Sequence, residues 1–278
     1  MNSQLCPFGK SGMLLLATDG SKFSEGAIRE ALSLSRQCSS KLIALSVIKT
    51  NLEFEMTMPQ VMEKEEEEAM KHLKLVKSMA SKEGIDCKTL TVHGEEPYQE
   101  IIDAASKNQA DMIIMGRHGR TGLLKLMMGS VTARVIGHAP CNVLVIPPDA
   151  QAECRNILVA TDGSKYSEAA AREAICIAKQ CKSALIAISV ASSASEVASA
   201  EENVKKITDA AINEGVKAWG LTTTGKPYEV IVEMARQKRA DLIVVGSHGR
   251  TGIERLLMGS VTERVIGHSE TAVLVVKA

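Results

Sequence analysis

The chain carries no surplus of charge: 33 Lys and Arg stand against 33 Asp and Glu, for a formal net charge of zero. A nucleic-acid binder normally shows a basic excess, so this balance argues against that class while leaving a local patch open. Long apolar runs are missing too. No stretch approaches the roughly 18–20 residues needed to cross a bilayer. Residues 1–12 are polar, with one Lys and no apolar core, so no secretory signal is expected either. The 7 cysteines are scattered, odd in number and without a C-x2-C pair. Buried free thiols in a reducing cytoplasm are expected, rather than a disulfide framework. The common phosphate-binding signatures are also absent. Gly9-Lys10-Ser11 looks like the end of a P-loop, but the glycine required upstream falls on Gln4. There is no G-x-G-x-x-G and no G-x-S-x-G.

What is present is an ordinary globular composition, 45% apolar and 24% charged, over 278 residues. At about 150 residues per domain that length suggests two domains. The sequence repeats itself on that scale. Residues 116–138 read GRHGRTGLLKLMMGSVTARVIGH and residues 246–268 read GSHGRTGIERLLMGSVTERVIGH. Residues 14–22 (LLLATDGSK) likewise match residues 157–165 (ILVATDGSK). Asp162 lies 143 positions beyond Asp19, whereas Gly246 lies 130 beyond Gly116, so the second copy is shorter, chiefly around its second helix. A period this long means two whole domains rather than a solenoid, whose repeats run about 20–50 residues.

Within the first copy, strands are predicted at 13–18, 42–48, 86–92, 112–116 and 142–146. These are mostly unbroken apolar runs, as parallel strands covered on both faces tend to be. Helices are predicted at about 24–37, 59–82, from Pro97 to near Lys107, and 131–136, with residues 49–58 as a loop. The run Glu63–Glu68, with Lys71, Lys74 and Lys77, reads as a solvated helix face. Pro147-Pro148 stops the fifth strand and marks a linker, giving domains at 1–148 and 149–278. Such alternation predicts an α/β fold: in each domain, an open five-stranded parallel sheet with helices on both faces. Ligands of such sheets bind beyond the carboxyl ends of the strands.

Gly116 and Gly119 lie at one such end, and Gly129 with Ser130 opens the short helix that follows. Gly246, Gly249, Gly259 and Ser260 repeat the spacing. Without a Cβ these glycines can take positive φ and let the backbone approach a ligand. Ser130 and Ser260 are candidate N-caps, and the free N–H groups beyond them favour an anion. Together they form a phosphate cradle.

The pattern G-x2-G-x9-G-[ST] resembles the nucleotide-binding signature of the universal stress protein family, UspA-like domains, and the resemblance covers nearly the whole chain as two consecutive domains. It implies Rossmann-like domains of the adenine nucleotide alpha hydrolase-like kind, and ATP held with Mg2+ or Mn2+. It implies that Asp19 and Asp162 contact the adenosine, that Val47 and Val190 touch adenine, and that Ser130, Val131, Ser260 and Val261 join the glycines at the phosphates. Arg117, expected either to pair a phosphate or to point to solvent, stands where the second copy keeps Ser247, the family's commoner residue, so the two sites need not be equal. His118, His248, His138 and His268 recur by duplication and read as loop and cap residues. The resemblance further implies pairing of 142–146 with 272–276 within the chain, and a homodimer. The function implied is a cytoplasmic stress-response sensor or regulator. The alternatives are a slow ATP hydrolase, for which no general base, arginine finger or Walker-type Lys is evident, and a nucleotide-free interaction module.

Overall fold

The computed structural model describes residues 6–9, 12–119, 128–250 and 258–278. The interval between Gly119 and Met128, and its counterpart between Arg250 and Met258, lie outside the described residues, and so do Lys10 and Ser11 of the partial P-loop pattern. The first domain runs β1 (Met13–Ala17), α1 (Glu25–Cys38), β2 (Lys41–Lys49), α2 (Leu52–Thr57), α3 (Pro59–Lys82), β3 (Cys87–Gly94), α4 (Pro97–Lys107), β4 (Met112–Gly116), α5 (Ser130–His138) and β5 (Asn142–Ile146). The second runs β6 (Asn156–Ala160), α6 (Lys165–Cys181), β7 (Ala184–Ala191), α7 (Val197–Asn213), β8 (Lys217–Thr224), α8 (Pro227–Gln237), β9 (Leu242–Gly246), α9 (Ser260–His268) and β10 (Ala272–Val276).

The apolar runs explain the layering. Successive side chains of a strand point to opposite faces, and here both faces are covered. Leu14, Leu16, Leu42, Ala44, Ile114 and Leu144 join one core layer beneath α1 and α3. Leu15, Ile43, Leu45, Ile113, Val143 and Val145 join the other, beneath α4 and α5. Within each domain the ladders are parallel, as predicted.

The two domains share one sheet. Its order is β3-β2-β1-β4-β5-β10-β9-β6-β7-β8. At the centre β5 and β10 pair antiparallel, with Leu144 opposite Leu274 and Val145 opposite Val273. Both core layers therefore run through the junction, since Leu274 and Val276 belong to the first and Val273 and Val275 to the second.

Charged side chains fasten the junction in both directions. Arg117 Nη1 donates to the carbonyls of Gly267 (3.1 Å) and Ser269 (2.7 Å), at the end of α9. Lys277 Nζ donates to the carbonyls of Ile136 (2.9 Å) and Gly137 (3.1 Å), at the end of α5. A helix carboxyl end carries unpaired carbonyls and a partial negative charge, so a cation suits each position. Burial lowers the pKa of both cations, against Glu270 near Arg117 and Cys141 near Lys277.

The structure departs from the sequence reading at three places here. Residues 52–57, read as loop, form α2. That extra helix and the longer α3, 24 residues against 17 in α7, account for most of the greater length of the first copy. Cys6 and Cys38, expected as free thiols, are joined in a disulfide, because the segment entering β1 passes the carboxyl end of α1. Arg117 faces neither solvent nor a ligand; it bridges the two domains.

The linker is held against α1. Arg29 Nη2 donates to the carbonyls of Pro148 (2.9 Å) and Ala150 (3.2 Å), and Ala152 N–H donates to Glu30 Oε2 at 3.2 Å. Glu30 is 5% exposed. Burial raises its pKa above 4.5, against the opposing pull of the Ala152 N–H and of Arg29. A carboxyl with a raised folded-state pKa binds its proton more tightly folded than unfolded, so its contribution is lost as pH rises through that window. Glu30→Gln keeps an acceptor for Ala152 and removes the buried charge. The variant is expected to be at least as stable as the parent at pH 7, and it should lose the fall in stability that the parent shows as pH rises above about 4.5, as read by urea melts across that range.

Candidate functional site

In each domain a cleft opens beyond the carboxyl ends of the central strands, where the strand order turns back on itself. In the second domain it has a volume of about 300 Å³, and Asp162, Val190, Gly246, Gly249, Gly259, Ser260 and Val261 all line it. In the first it has a volume of about 400 Å³, lined by Asp19, Val47, Gly116, Gly119 and Val131. Gly129 and Ser130 lie at the opening of α5, directly before Val131. Residues far apart in sequence are thus brought to one place in each half.

The first wall is the turn after the leading strand. Asp19 Oδ1 accepts the Ser21 N–H at 3.0 Å, and Asp162 Oδ1 accepts the Ser164 N–H at 3.0 Å. Below them, Thr18 Oγ1 donates to Ser24 Oγ at 3.0 Å, and Thr161 and Ser167 are bonded at 3.2 Å. Gly20 and Gly163 take φ of +74° and +79° to make this turn, a conformation that favours glycine. In the first domain α3 adds His72, whose Nε2 is 2.9 Å from Thr18 Oγ1. In the second, Asn203 lies beside Gly163.

The second wall is the glycine stretch, and its glycines do something other than expected. None of Gly116, Gly119, Gly129, Gly246, Gly249 or Gly259 has positive φ. Four of them are small because protein atoms press on them. A Cβ on Gly116 would stand 2.7 Å from the Phe23 carbonyl oxygen, and one on Gly246 would stand 2.7 Å from the Tyr166 backbone. A Cβ on Gly249 would stand 2.7 Å from Asp162 Oδ2, and one on Gly119 3.0 Å from Asp19 Oδ2. The glycines let the first turn and the glycine stretch close on each other.

At the helix openings, Gly129 and Gly259 are the N-caps, with no side-chain cap. Ser130 and Ser260, expected as caps, are instead the first helical residues. Thr132 Oγ1 donates to the Gly116 carbonyl (3.2 Å) and Thr262 Oγ1 to the Gly246 carbonyl (2.8 Å), pinning each helix start to its strand end. The first N–H groups of α5 and α9 therefore carry no side-chain acceptor of their own.

The third wall is apolar. Val190 lies with Ile188, Ala200 and Ile231 in the second domain, and Val47 with Leu45, Ala69 and Ile101 in the first.

Burial pushes the Asp162 carboxyl up, and hydrogen bonds from Ser164, Arg250 and Ser167 more than reverse it, leaving its pKa below 3.8. Asp162 Oδ2 accepts the Arg250 N–H at 2.8 Å, and the Arg250 guanidinium bonds the Asp162 carbonyl and Ser199 Oγ (3.3 Å). Among the described lining residues the first cleft has Lys49 and Glu65, and the second has Arg250 and Glu196.

The histidines are structural neighbours of the clefts. His118 is 7% exposed and accepts from Arg117 Nε at 3.1 Å; burial, then the Arg117 charge, lowers its pKa, so it is neutral. His248 is 3.1 Å from Ser247 Oγ and its ring lies 5.0 Å from that of Tyr166. His138 and His268 pack on Tyr98 and Tyr228.

The residues that sequence reasoning missed are Thr18 and Thr161, Ser24 and Ser167, and Thr132 and Thr262. Each recurs at the same place in both copies, a signal available in the aligned repeats.

The universal stress protein family model matches residues 13–147 and again 153–277. Universal stress protein MJ0531 of Methanocaldococcus jannaschii is 41% identical over 137 residues, covering 48% of this chain and 80% of that protein. Universal stress protein Rv2005c of Mycobacterium tuberculosis is 30% identical over 185 residues, covering 61% of this chain and 63% of that one. The crystal structure of a universal stress protein from Archaeoglobus fulgidus superposes with a TM-score of 0.80 at 23% identity, over 96% of this chain and 97% of that one. No helix among the described residues is long and apolar enough to cross a membrane. Two successive matches that between them span almost every residue, on a fold shared end to end, mean that the chain belongs to the universal stress protein family, with two of its domains in tandem.

Proposed function

We propose that the protein binds one adenine nucleotide in each domain and works as a cytoplasmic, nucleotide-responsive regulator. The observation that carries this reading is the pairing, in both clefts, of an uncapped helix start with an ionised or hydrogen-bonded Asp across an apolar slot. A phosphate chain suits the first, a ribose hydroxyl the second and a base the third. Asp19 and Asp162 would hold the ribose, and Val47 and Val190 would line the base. Gly129, Ser130 and Val131, with Gly259, Ser260 and Val261, would meet the phosphates. Gly116, Gly119, Gly246 and Gly249 would close the floor.

The cofactor in this reading is ATP with Mg2+ or Mn2+. The donor set fits a metal-neutralised triphosphate. In the second cleft the Arg250 guanidinium is already committed to Asp162 and Ser199, so a divalent ion would supply the charge that the protein does not. Hydrolysis is not part of the proposal, because both Asp162 oxygens accept backbone N–H groups, a role of holding rather than proton abstraction. Self-association of two chains belongs to the same reading, on a surface other than β5 and β10, whose edges satisfy each other.

Calorimetric titration with Mg-ATP tests the reading. Saturation at about two nucleotides per chain is expected, with weaker binding once EDTA removes the metal. A titration without heat, confirmed by equilibrium dialysis without retained nucleotide, would falsify it.

A further inference from the structure

The first helix of each domain ends on a cysteine, Cys38 closing α1 and Cys181 closing α6. The two helix ends are built alike. Ser39 and Lys182 follow with φ of 52° and 54°. Ser40 N–H then donates to the Ser35 carbonyl (2.9 Å), and Ser183 N–H to the Ala178 carbonyl (2.8 Å). To each end, the segment leading into the domain's first strand delivers a second cysteine. In the first domain it is Cys6, joined to Cys38 with the Cα atoms 4.4 Å apart. In the second it is Cys154, whose carbonyl is held by Ser183 Oγ two residues beyond Cys181, and both thiols remain free.

The second pair is held in place without a covalent bond. Cys154 takes φ of 54°. Its carbonyl accepts from Ser183 Oγ, and its Sγ–H donates to the Ala152 carbonyl at 3.4 Å. Cys154 is 0% exposed, whereas Cys181 is only partly buried. Cys181 is the more accessible residue of the two.

We propose that Cys154 and Cys181 form a peroxide-reactive dithiol that closes a second disulfide, the counterpart of Cys6–Cys38. The roles follow from access. The Cys181 thiolate attacks hydrogen peroxide; an S–O bond forms, the O–O bond breaks, and hydroxide leaves to take up the proton Cys181 had released. The Cys154 sulfur then attacks the Cys181 sulfenic sulfur. The S–S bond forms, the S–O bond breaks, and the departing hydroxide leaves with the Cys154 proton as water. Two thiols and one peroxide become one disulfide and two waters. The neighbouring Cys154 thiol, helped by Ser183 and opposed by burial, lowers the Cys181 thiol pKa. The neighbouring Cys181 thiol, with burial, raises that of Cys154. That assignment makes Cys181 the nucleophile and Cys154 the resolving thiol. The closed bond would tie the interdomain linker to the end of α6.

The test uses the full-length protein, reduced and then exposed to a small excess of hydrogen peroxide. After catalase quenching, it is alkylated in denaturant and digested without reductant for mass spectrometry. A cross-linked peptide pair containing Cys154 and Cys181, lost on adding dithiothreitol, is expected. Cys154→Ser, checked for folding by circular dichroism, should lose the cross-link and accumulate a Cys181 sulfenic acid trapped by dimedone. Recovery of both cysteines alkylated in the peroxide-treated parent would overturn the proposal. So would Cys181 passing to sulfinic acid in the parent with Cys154 still alkylated.

Discussion

Leu274→Ala is expected to lower the unfolding free energy of the whole chain by about 3 kcal/mol, within the usual range for a buried Leu. Leu274 is 0% exposed and lies opposite Leu144 at the centre of the ten-stranded sheet. Truncating it opens a void in a packed interior that relaxes only in part. The void sits in the core layer that both domains share, so its cost falls on both. Leu144→Ala should cost a similar amount, and the double variant should depart from additivity because the two side chains are neighbours. Urea melts followed by two probes check this. Trp219, the only tryptophan, stands on β8 and reports the second domain, while far-UV circular dichroism reports the whole chain. The two transitions should coincide and shift together. If the Trp219 transition moved alone, the halves would be unfolding apart and the shared core would not be the main tie between them.

The second large effect concerns binding. Gly259→Glu is expected to weaken nucleotide binding in the second domain by at least about 100-fold, or roughly 2.7 kcal/mol, while the protein still folds. The new Cβ would stand 3.3 Å from His248 Cα and 3.4 Å from the Gly249 nitrogen, tight but short of a severe overlap. An acidic group at a helix N-terminus is itself tolerated, favourable by about 0.3–1 kcal/mol. The carboxylate would therefore sit in the place proposed for phosphate and repel it. Gly129→Glu should do the same in the first domain. The count of bound nucleotides in the Mg-ATP titration should fall from two to one in either single variant and to none in the double variant. Unchanged binding in a folded double variant would move the ligand away from these helix starts. Gly259→Ala, which adds the Cβ without charge, separates crowding from repulsion.

Much of this architecture was legible in the residues. Unbroken apolar runs fixed the positions of the inner strands, because a strand buried on both faces has little room for polar side chains. Pro59 and Pro97 marked helix starts that the structure keeps, since proline suits the first helical turn. The pairing of the last two strands was implied by the family resemblance, and the register of Leu144 on Leu274 bears it out. The site residues converge because strand ends in such a sheet converge.

What escaped the sequence depended on neighbours supplied from far along the chain. Arg117 reads as a loop cation until α9 is placed beside it, where it meets the carbonyls of Gly267 and Ser269. The cradle glycines were expected to serve conformation. Their φ values show otherwise, and the atoms that Gly116, Gly119, Gly246 and Gly249 accommodate, Phe23, Tyr166 and the two Asp carboxylates, come from a turn about 80–100 residues earlier in the chain. The Cys6–Cys38 bond needed the path of the amino-terminal segment past α1, which no spacing rule supplies. In residues 52–57 the apolar Leu52, Phe54 and Met56 alternate with polar residues, so the sequence gave no helical period for α2.

The measurement that bears most directly on the central claim is the nucleotide content of the protein as purified. The protein would be denatured, its supernatant separated by ion-exchange chromatography, and released nucleotide counted per chain. Close to two adenine nucleotides per chain, falling to one in Gly129→Glu or Gly259→Glu, is the predicted result. No released nucleotide, together with no retention after Mg-ATP is added back, would contradict it and leave the two clefts without the ligand their geometry suits.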